Sequence, residues 1–228
     1  LMTDGGEVKA FGFAAENEFV KMEDDEEEDD VHLFKYFKMK LSELNKGLKH
    51  GVGIDDVMVM SDGSSLEDGH EMKLIDVVSA SLEVCKDSAI SEINKESLDD
   101  QKISATDAVW VLTVPAIWSE FSKRFMRTAA FRAGLIEEKE SDRLTLCSEP
   151  ECAAIECFLG DRELGLADRL KVGLGYMVID CGGGTVDITT HSVATMVPML
   201  LKEEMAPAGG PWGSTEIDKQ FSKVLRKF

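Results

Sequence analysis

Two aspartates flank a run of three glycines in the most distinctive segment of this sequence. Asp180 and Asp187 stand seven residues apart, with Gly182–Gly184 and Thr185 between them. The apolar residues on either side predict a strand, a tight glycine turn and a second strand over 176–190. We expect positive φ in the turn and successive N–H groups that bind phosphate oxygens, because glycine has no Cβ to obstruct a ligand. Thr185 adds a hydroxyl donor.

The two carboxylates predict a metal ion at the same site. A tight hairpin brings Asp180 and Asp187 to one end of the turn. Because carboxylates repel phosphate, their presence beside a phosphate-binding turn implies Mg²⁺, held directly or through its waters. The structural alternative is an ordinary hairpin turn, which needs one or two glycines rather than three. The pattern therefore favours binding of a phosphate compound.

Composition excludes several other function classes. The 228 residues carry 25 Lys and Arg against 44 Asp and Glu, a net charge of -19 that repels nucleic acid and anionic lipid. No apolar run approaches the roughly 18 residues that span a bilayer. The five cysteines form no CxxC pair and the four histidines are scattered, which argues against structural zinc. We expect a cytoplasmic protein, because free thiols are typical of a reducing compartment.

Eight consecutive carboxylates occupy residues 23–30. Charges at this density cannot be buried, so we expect a solvated loop. A protein-binding acidic segment is the functional alternative.

The order of predicted elements indicates an α/β architecture. Val8, Ala10, Phe11 and Phe13 predict a short N-terminal hairpin, and apolar spacing predicts a helix over 75–94. The run 108–114 predicts a strand buried on both faces. A helix over 121–133 capped by Gly134, a strand over 144–147 and a further helix after Pro150 complete the alternation.

Asp180 to Asp187 resembles the second phosphate-binding motif of the seventy-kilodalton heat-shock chaperones, members of the actin-like ATPase superfamily. Other segments are similar to the divergent heat shock protein 12A/12B branch of that family. These segments are 11–15, 109–118, 125–135, 149–150 and 209–214. The similarity runs through most of the chain and is densest after Val109.

The resemblance implies roles for individual residues. Glu149 matches the glutamate that places or activates the attacking water, and a general base of this kind contributes on the order of 10² to 10⁴-fold. Asp180 and Asp187 match the aspartates around the metal and the water. Gly182–Gly184 and Thr185 match the loop on the β- and γ-phosphates.

The resemblance implies roles for two further positions, although their match to the family motifs is less direct. Lys40 aligns with the lysine that reaches the γ-phosphate, with Lys38 as its rival and a solvated surface lysine as the plain alternative. Gly213 stands where a later glycine pair of the family approaches the phosphates, although the second position is Ser214 here.

The resemblance also implies an actin-like ATPase (ribonuclease H-like) fold that is incomplete in this chain. Residues 1–105 correspond to the outer subdomain and the N-terminal part of the first lobe, 106–172 to the first-lobe core, and 173–228 to the start of the second lobe. We expect the first phosphate-binding hairpin and the adenosine-binding segment to be absent.

The function implied is that of a nucleotide-binding segment that binds ATP or ADP with Mg²⁺ and hydrolyses ATP in a stress-response chaperone system. Nucleotide is the expected ligand, with co-chaperones or other proteins as partners. The alternative is a degenerate pseudo-ATPase that acts as a scaffold. A sugar or acetate kinase of the same superfamily is disfavoured by the strand from Val109 and the Glu149–Pro150 turn.

Overall fold

The computed structural model describes residues 1–24, 31–44, 53–54, 58–60, 71–97, 102–159, 165 and 167–227. Within these ranges the chain is a mixed α/β protein with small sheets. Its elements are β1 (Met2–Thr3), α1 (Phe13–Asp24), β2 (Val31–His32), α2 (Phe37–Leu44), β3 (Met58–Met60), β4 (Glu71–Lys73), α3 (Leu74–Glu96), β5 (Trp110–Val114), α4 (Glu120–Arg132), β6 (Leu144–Ser148), α5 (Glu149–Leu159), β7 (Gly175–Cys181), β8 (Val186–Met196), β9 (Met199–Gly210) and α6 (Ser214–Leu225).

The chain divides into two compact units. The first unit comprises Leu1–Trp110 and Ser119–Thr145, and the second comprises Val111–Trp118 and Leu146–Phe228. The three-part division inferred from the sequence stays a prediction.

Helices α3 and α4 form the packed centre of the first unit. The predicted apolar face of α4 is largely buried, and Phe125 is completely inaccessible to solvent. The predicted face of α3 is buried only at its start, where Ile75 and Val78 are inaccessible or nearly so. The expectation that core packing covers the whole face is wrong, because the later positions Cys85, Ala89 and Ile93 are exposed.

Gly134 has a φ of 70° and ends the α4 segment as predicted. Lys86 Nζ donates to the Ala133 carbonyl at 2.9 Å, which satisfies a carbonyl at that helix end.

The N-terminal prediction is partly wrong. A turn closes where the Gly6 N–H donates to the Thr3 carbonyl, and Met2 bridges Val8, but Phe13 begins α1 instead of continuing a strand. Strand β1 pairs with β2, not with the residues that follow it directly. Of the predicted acidic loop, Glu23 and Asp24 end α1, and residues 25–30 lie outside the described residues.

The predicted alternation of strand and helix over 108–159 is confirmed as β5, α4, β6 and α5. The expectation that the first of these strands is buried on both faces is wrong. Val109 and Val111 are 67% and 57% exposed, whereas Val114 is buried. The reason is that β5 pairs with β6 alone and, among the described residues, only alternate side chains of β5 are shielded from solvent.

The second unit is built on the antiparallel sheet β7–β8–β9, with β8 in the centre. Helix α5 packs against β7 and β8. Side chains on β8 alternate in burial from Val186 to Val193, and the buried face carries Asp187, Thr189, His191 and Val193. Three polar residues therefore lie on the interior face of the central strand.

No helix in the described ranges combines the length and apolar character needed to cross a bilayer.

Candidate functional site

The predicted strand–turn–strand is present as β7, a four-residue loop and β8. The two strands pair in register from Gly175 opposite Ser192 to Cys181 opposite Val186. The loop, Gly182 to Thr185, is closed by the Gly182 N–H, which donates to the Thr185 carbonyl at 2.9 Å. Hereafter these four residues are called the glycine loop.

The register brings the two aspartates together. Asp180 and Asp187 are direct cross-strand partners, each next to an end of the glycine loop. Residues opposite one another in an antiparallel pair have Cβ atoms about 4.5–5.5 Å apart and share one face of the sheet. Asp180 is half-buried and Asp187 is only 2% exposed. Two acidic side chains therefore sit side by side on the partly buried face.

One carboxylate oxygen of Asp187, Oδ1, is buried and unsatisfied within the described ranges. It is inaccessible and, among the described residues, makes no hydrogen bond. Leaving a buried polar group unsatisfied costs about 1–3 kcal/mol, and more for a charged one. A cation or its bound water beside Asp187 would satisfy this atom and reduce the repulsion between the paired carboxylates.

The start of α6 holds the glycine loop from one side. The N–H groups of Gly213, Ser214 and Thr215 donate to the carbonyls of Gly184, Gly182 and Gly183 at 3.3, 3.1 and 3.0 Å. The Thr215 hydroxyl also donates to the Gly183 carbonyl, at 2.9 Å. The first-turn N–H groups of α6 thus bind the loop.

Close approach explains why residue 213 is glycine. A Cβ atom at Gly213 would collide with the Gly183 carbonyl and with the Gly184 backbone. Positive φ, by contrast, is not what the glycine loop requires. None of Gly182–Gly184 has a left-handed φ, so that part of the prediction is wrong.

The glycine loop nevertheless presents unused donors. Its three glycine carbonyls face α6, while the N–H groups of Gly183, Gly184 and Thr185 have no hydrogen-bond partner within the described part of the chain. A Cβ built on Gly183 would meet nothing within 4 Å. The loop therefore combines open space with backbone donors, the two features that a phosphate oxygen needs.

Two carboxylates suit Mg²⁺ better than a metal ion whose ligands all come from protein side chains. Over the described ranges no group of three or more His, Cys, Asp or Glu side chains could hold a metal ion. Magnesium is commonly bound by one or two carboxylates together with substrate phosphates and water. Asp180 and Asp187 are the residues that would hold it.

The remaining predicted residues fall in both units. Glu149 is half-buried and begins α5 directly after β6, as the predicted strand-to-helix turn requires, and Gly213 reaches the glycine loop. Lys40 and its rival Lys38 are exposed on α2 in the first unit. The chemical roles of all these residues stay predictions.

Sequence reasoning missed two residues of the site. Thr215 anchors the Gly183 carbonyl. Gly209 lies opposite Asp187 on β9, and a Cβ there would come within 2.5 Å of the Val186 carbonyl. The glycine-rich stretch 209–213 was the signal for Gly209, but nothing local distinguishes Thr215.

A cavity of about 340 Å³ lies in the first unit. Its lining is mostly apolar and includes Phe11, Phe34 and Phe37. None of the predicted site residues that the structure describes lines this cavity. We place the candidate site at the glycine loop because phosphate binding requires polar donors rather than an apolar cavity.

No protein-family model matches the chain. Over its whole length it is similar to heat shock 70 kDa protein 12A of Homo sapiens, with 29% identity over 273 aligned positions. Heat shock 70 kDa protein 12B of Homo sapiens is 28% identical and is matched by 99% of the chain. The chain spans 38% of the length of each of these relatives.

A bacterial chaperone shows similarity over a shorter region. The chaperone protein HscA homolog of Acinetobacter baumannii strain ATCC 17978 is 37% identical over 145 aligned positions, which cover 60% of this chain and 21% of the relative. The resemblance to the divergent 12A/12B branch is thus confirmed by similarity over the whole chain, and the shorter HscA match is consistent with it.

Proposed function

We propose that this chain, a divergent relative of the seventy-kilodalton heat-shock proteins, is a segment of a nucleotide-binding domain with an actin-like ATPase fold. The proposed ligands are Mg-ATP and Mg-ADP, and the proposed reaction is hydrolysis of ATP to ADP and phosphate. The proposal rests mainly on one observation. Asp180 and Asp187 are cross-strand partners at the two ends of the glycine loop, and three N–H groups of that loop are available to bind phosphate oxygens.

Each residue has a defined task in this proposal. The N–H groups of Gly183, Gly184 and Thr185 bind phosphate oxygens, and α6 holds the loop in place through its carbonyls. Asp180 and Asp187 hold Mg²⁺, which when bound offsets the negative charge of the phosphates. Asp187 is fixed for this task because it is buried on the central strand.

Glu149 is the proposed general base. A water molecule attacks the γ-phosphorus, the bond to the β–γ bridging oxygen breaks, and the Glu149 carboxylate accepts the proton of the water. Helix α5, which carries Glu149, packs against the strands that carry both aspartates. Lys40 is the proposed cation for the γ-phosphate. The resemblance of residues 37–41 to the family supports this role.

Calorimetric titration with Mg-ATP and Mg-ADP tests the proposal. We expect binding by the full 228-residue chain and at least a tenfold loss in Asp187→Asn, because the amide removes a charge that the metal needs. The matched control is Asp168→Asn, which changes an exposed carboxylate outside the glycine loop. Equal affinity in all three proteins would refute the proposed site.

A second candidate function is a degenerate pseudo-ATPase that acts through protein contacts. It is supported by α6, where Ile217, Phe221, Val224 and Leu225 recur at helical spacing and are 71, 61, 50 and 57% exposed. A folded chain that binds no nucleotide in the titration would favour this alternative. Stress response is proposed on the resemblance alone, and a cytoplasmic location on the resemblance together with the free cysteines.

A further inference from the structure

A polar cluster lies on the same face of the sheet as the two aspartates, further along the strands. Tyr176 and His191 are direct cross-strand partners on β7 and β8, and their rings stack with centroids 5.5 Å apart at 27°. His191 is four residues from Asp187 on the same buried face and is 3% exposed. Four residues of strand measure about 13 Å, so His191 does not reach the glycine loop.

Both residues of this pair contact α5. His191 Nε2 lies 3.4 Å from Glu151 Oε1, in the first turn of the helix. Tyr176 contacts Phe158 near the last residues of the helix, edge to face with centroids 5.0 Å apart. The Tyr176–His191 pair therefore contacts both the first turn and the last residues of α5.

Packing alone does not explain a histidine at this position. Its Nδ1 atom is buried and, like the Tyr176 hydroxyl, has no hydrogen-bond partner in the part of the chain that the structure describes. A leucine would fill a similar volume without leaving a polar atom unsatisfied. The feature that leucine would lose is the contact between the imidazole and the Glu151 carboxylate.

We propose that Tyr176 and His191 form a clamp that fixes the first turn of α5 against the β7–β8 hairpin, and that His191 is a positioning residue for Glu149. Glu149 is two residues from Glu151, next to the buried Pro150. The clamp thus sets the position of the proposed general base relative to Asp187. This inference rests on the proposed function for its catalytic consequence, whereas the clamp itself is independent of nucleotide.

The first test measures the clamp without nucleotide, in the full chain. Cys152, half-buried in the first turn of α5, serves as reporter through its alkylation rate, with the exposed Cys85 of α3 as internal reference. We expect His191→Leu and Glu151→Ala each to accelerate Cys152 alkylation about tenfold relative to Cys85, and the double variant to add little. Tyr176→Phe keeps the ring stack and serves as matched control. Unchanged Cys152 rates in His191→Leu would overturn the clamp.

The second test measures the catalytic consequence. In single-turnover hydrolysis of Mg-ATP, His191→Leu is expected to lower the rate constant about tenfold or more and to leave Mg-ADP affinity within about threefold. His191→Gln keeps a donor near the Nε2 position and is expected to restore most of the rate. Equal loss of rate in the leucine and glutamine variants would refute a positioning role.

The two tests separate the two ideas. If the unaltered chain neither binds nor hydrolyses ATP, the proposed function fails, and the alkylation measurement still decides whether the clamp exists. If the unaltered chain hydrolyses ATP and His191→Leu hydrolyses it equally fast, the proposed function stands and the positioning role is overturned.

Discussion

Asp180 and Asp187 face each other across the β7–β8 ladder, with Asp187 almost completely buried. Like charges placed directly opposite each other on a sheet are destabilising. The pair therefore adds an electrostatic cost to the fold, and a cation bound between the two carboxylates would reduce it. This relationship links the stability of the hairpin to its proposed ligand.

The first prediction concerns stability without ligand. Asp180→Asn removes one charge of the pair, so we expect the free energy of unfolding in the absence of Mg²⁺ to rise by about 0.2–1 kcal/mol. Urea denaturation with and without Mg-ADP measures this difference. The variant should also lose most of the stabilisation that Mg-ADP gives the unaltered chain. A destabilised Asp180→Asn without ligand would show that the two carboxylates do not repel each other.

A second prediction concerns the contact between α6 and the glycine loop. Gly213→Ala places a methyl group against the Gly183 carbonyl, and we expect a loss of about 1–3 kcal/mol in the free energy of unfolding. Thermal and urea unfolding measure the loss. The matched control is Gly175→Ala at the start of β7, where a Cβ meets nothing within 4 Å and φ is not left-handed. Equal stability of the two variants would contradict the close approach.

A third prediction separates binding from folding within the glycine loop. A Cβ on Gly183 occupies open space at an allowed φ, so Gly183→Ala is expected to change the free energy of unfolding by less than about 0.5 kcal/mol. The same methyl group stands beside the N–H groups that we assign to phosphate, and we expect Mg-ATP affinity to fall about tenfold or more. Calorimetry and urea denaturation on one preparation measure both quantities. If Gly183→Ala binds Mg-ATP as tightly as the unaltered chain, the phosphates do not bind at the glycine loop.

The fourth prediction concerns alkaline pH. Burial, followed by the neighbouring Cys147 thiol, raises the pKa of Cys152 above its ordinary value of 9.0. A raised pKa in the folded state favours the thiol there, whereas the unfolded chain ionises at the ordinary value. The contribution of this group to stability is therefore complete below pH 9.0 and is lost as pH rises through the folded-state pKa.

The measurement for this prediction compares Cys152→Ala with the unaltered chain in urea at about pH 8 and about pH 10, values that bracket the ordinary thiol pKa. We expect the variant to lose less stability than the unaltered chain between the two conditions. Cys157→Ala, which removes an exposed thiol of the same helix, is the control. Tyr176 acts in the same direction at higher pH, because burial and then Glu151 raise its pKa above 10.0.

Local patterns predicted the helices and the hairpin well. The spacing around Ile75 and Phe125 located α3 and α4, because a buried helical face is recorded in the residues of the helix itself. Gly134 was identified as the helix cap because glycine readily adopts the left-handed φ that ends a helix, and this signal is also local. The strand–loop–strand around the glycine loop followed from apolar runs on either side of one glycine cluster.

Burial and partner choice were harder to predict. The apolar run at Val111 looks fully buried in sequence, but burial depends on which elements cover the strand, and that information lies elsewhere in the chain. The three glycines suggested positive φ, whereas the structure uses glycine at 213 to bring α6 close to the loop. Thr215 and His191 were not identified as site residues, because their contacts are with residues distant in sequence.

The most direct test of the central claim is a ¹H–¹⁵N correlation spectrum of the labelled 228-residue chain titrated with Mg-ATP. We expect the amide signals of Gly183, Gly184 and Thr185 to shift together and to saturate, because their N–H groups donate to the phosphate oxygens. The amide signals of the reference glycines Gly6 and Gly175 should keep their chemical shifts. Saturable binding that leaves the three loop amides unshifted, or a complete absence of binding by the folded chain, would contradict the account.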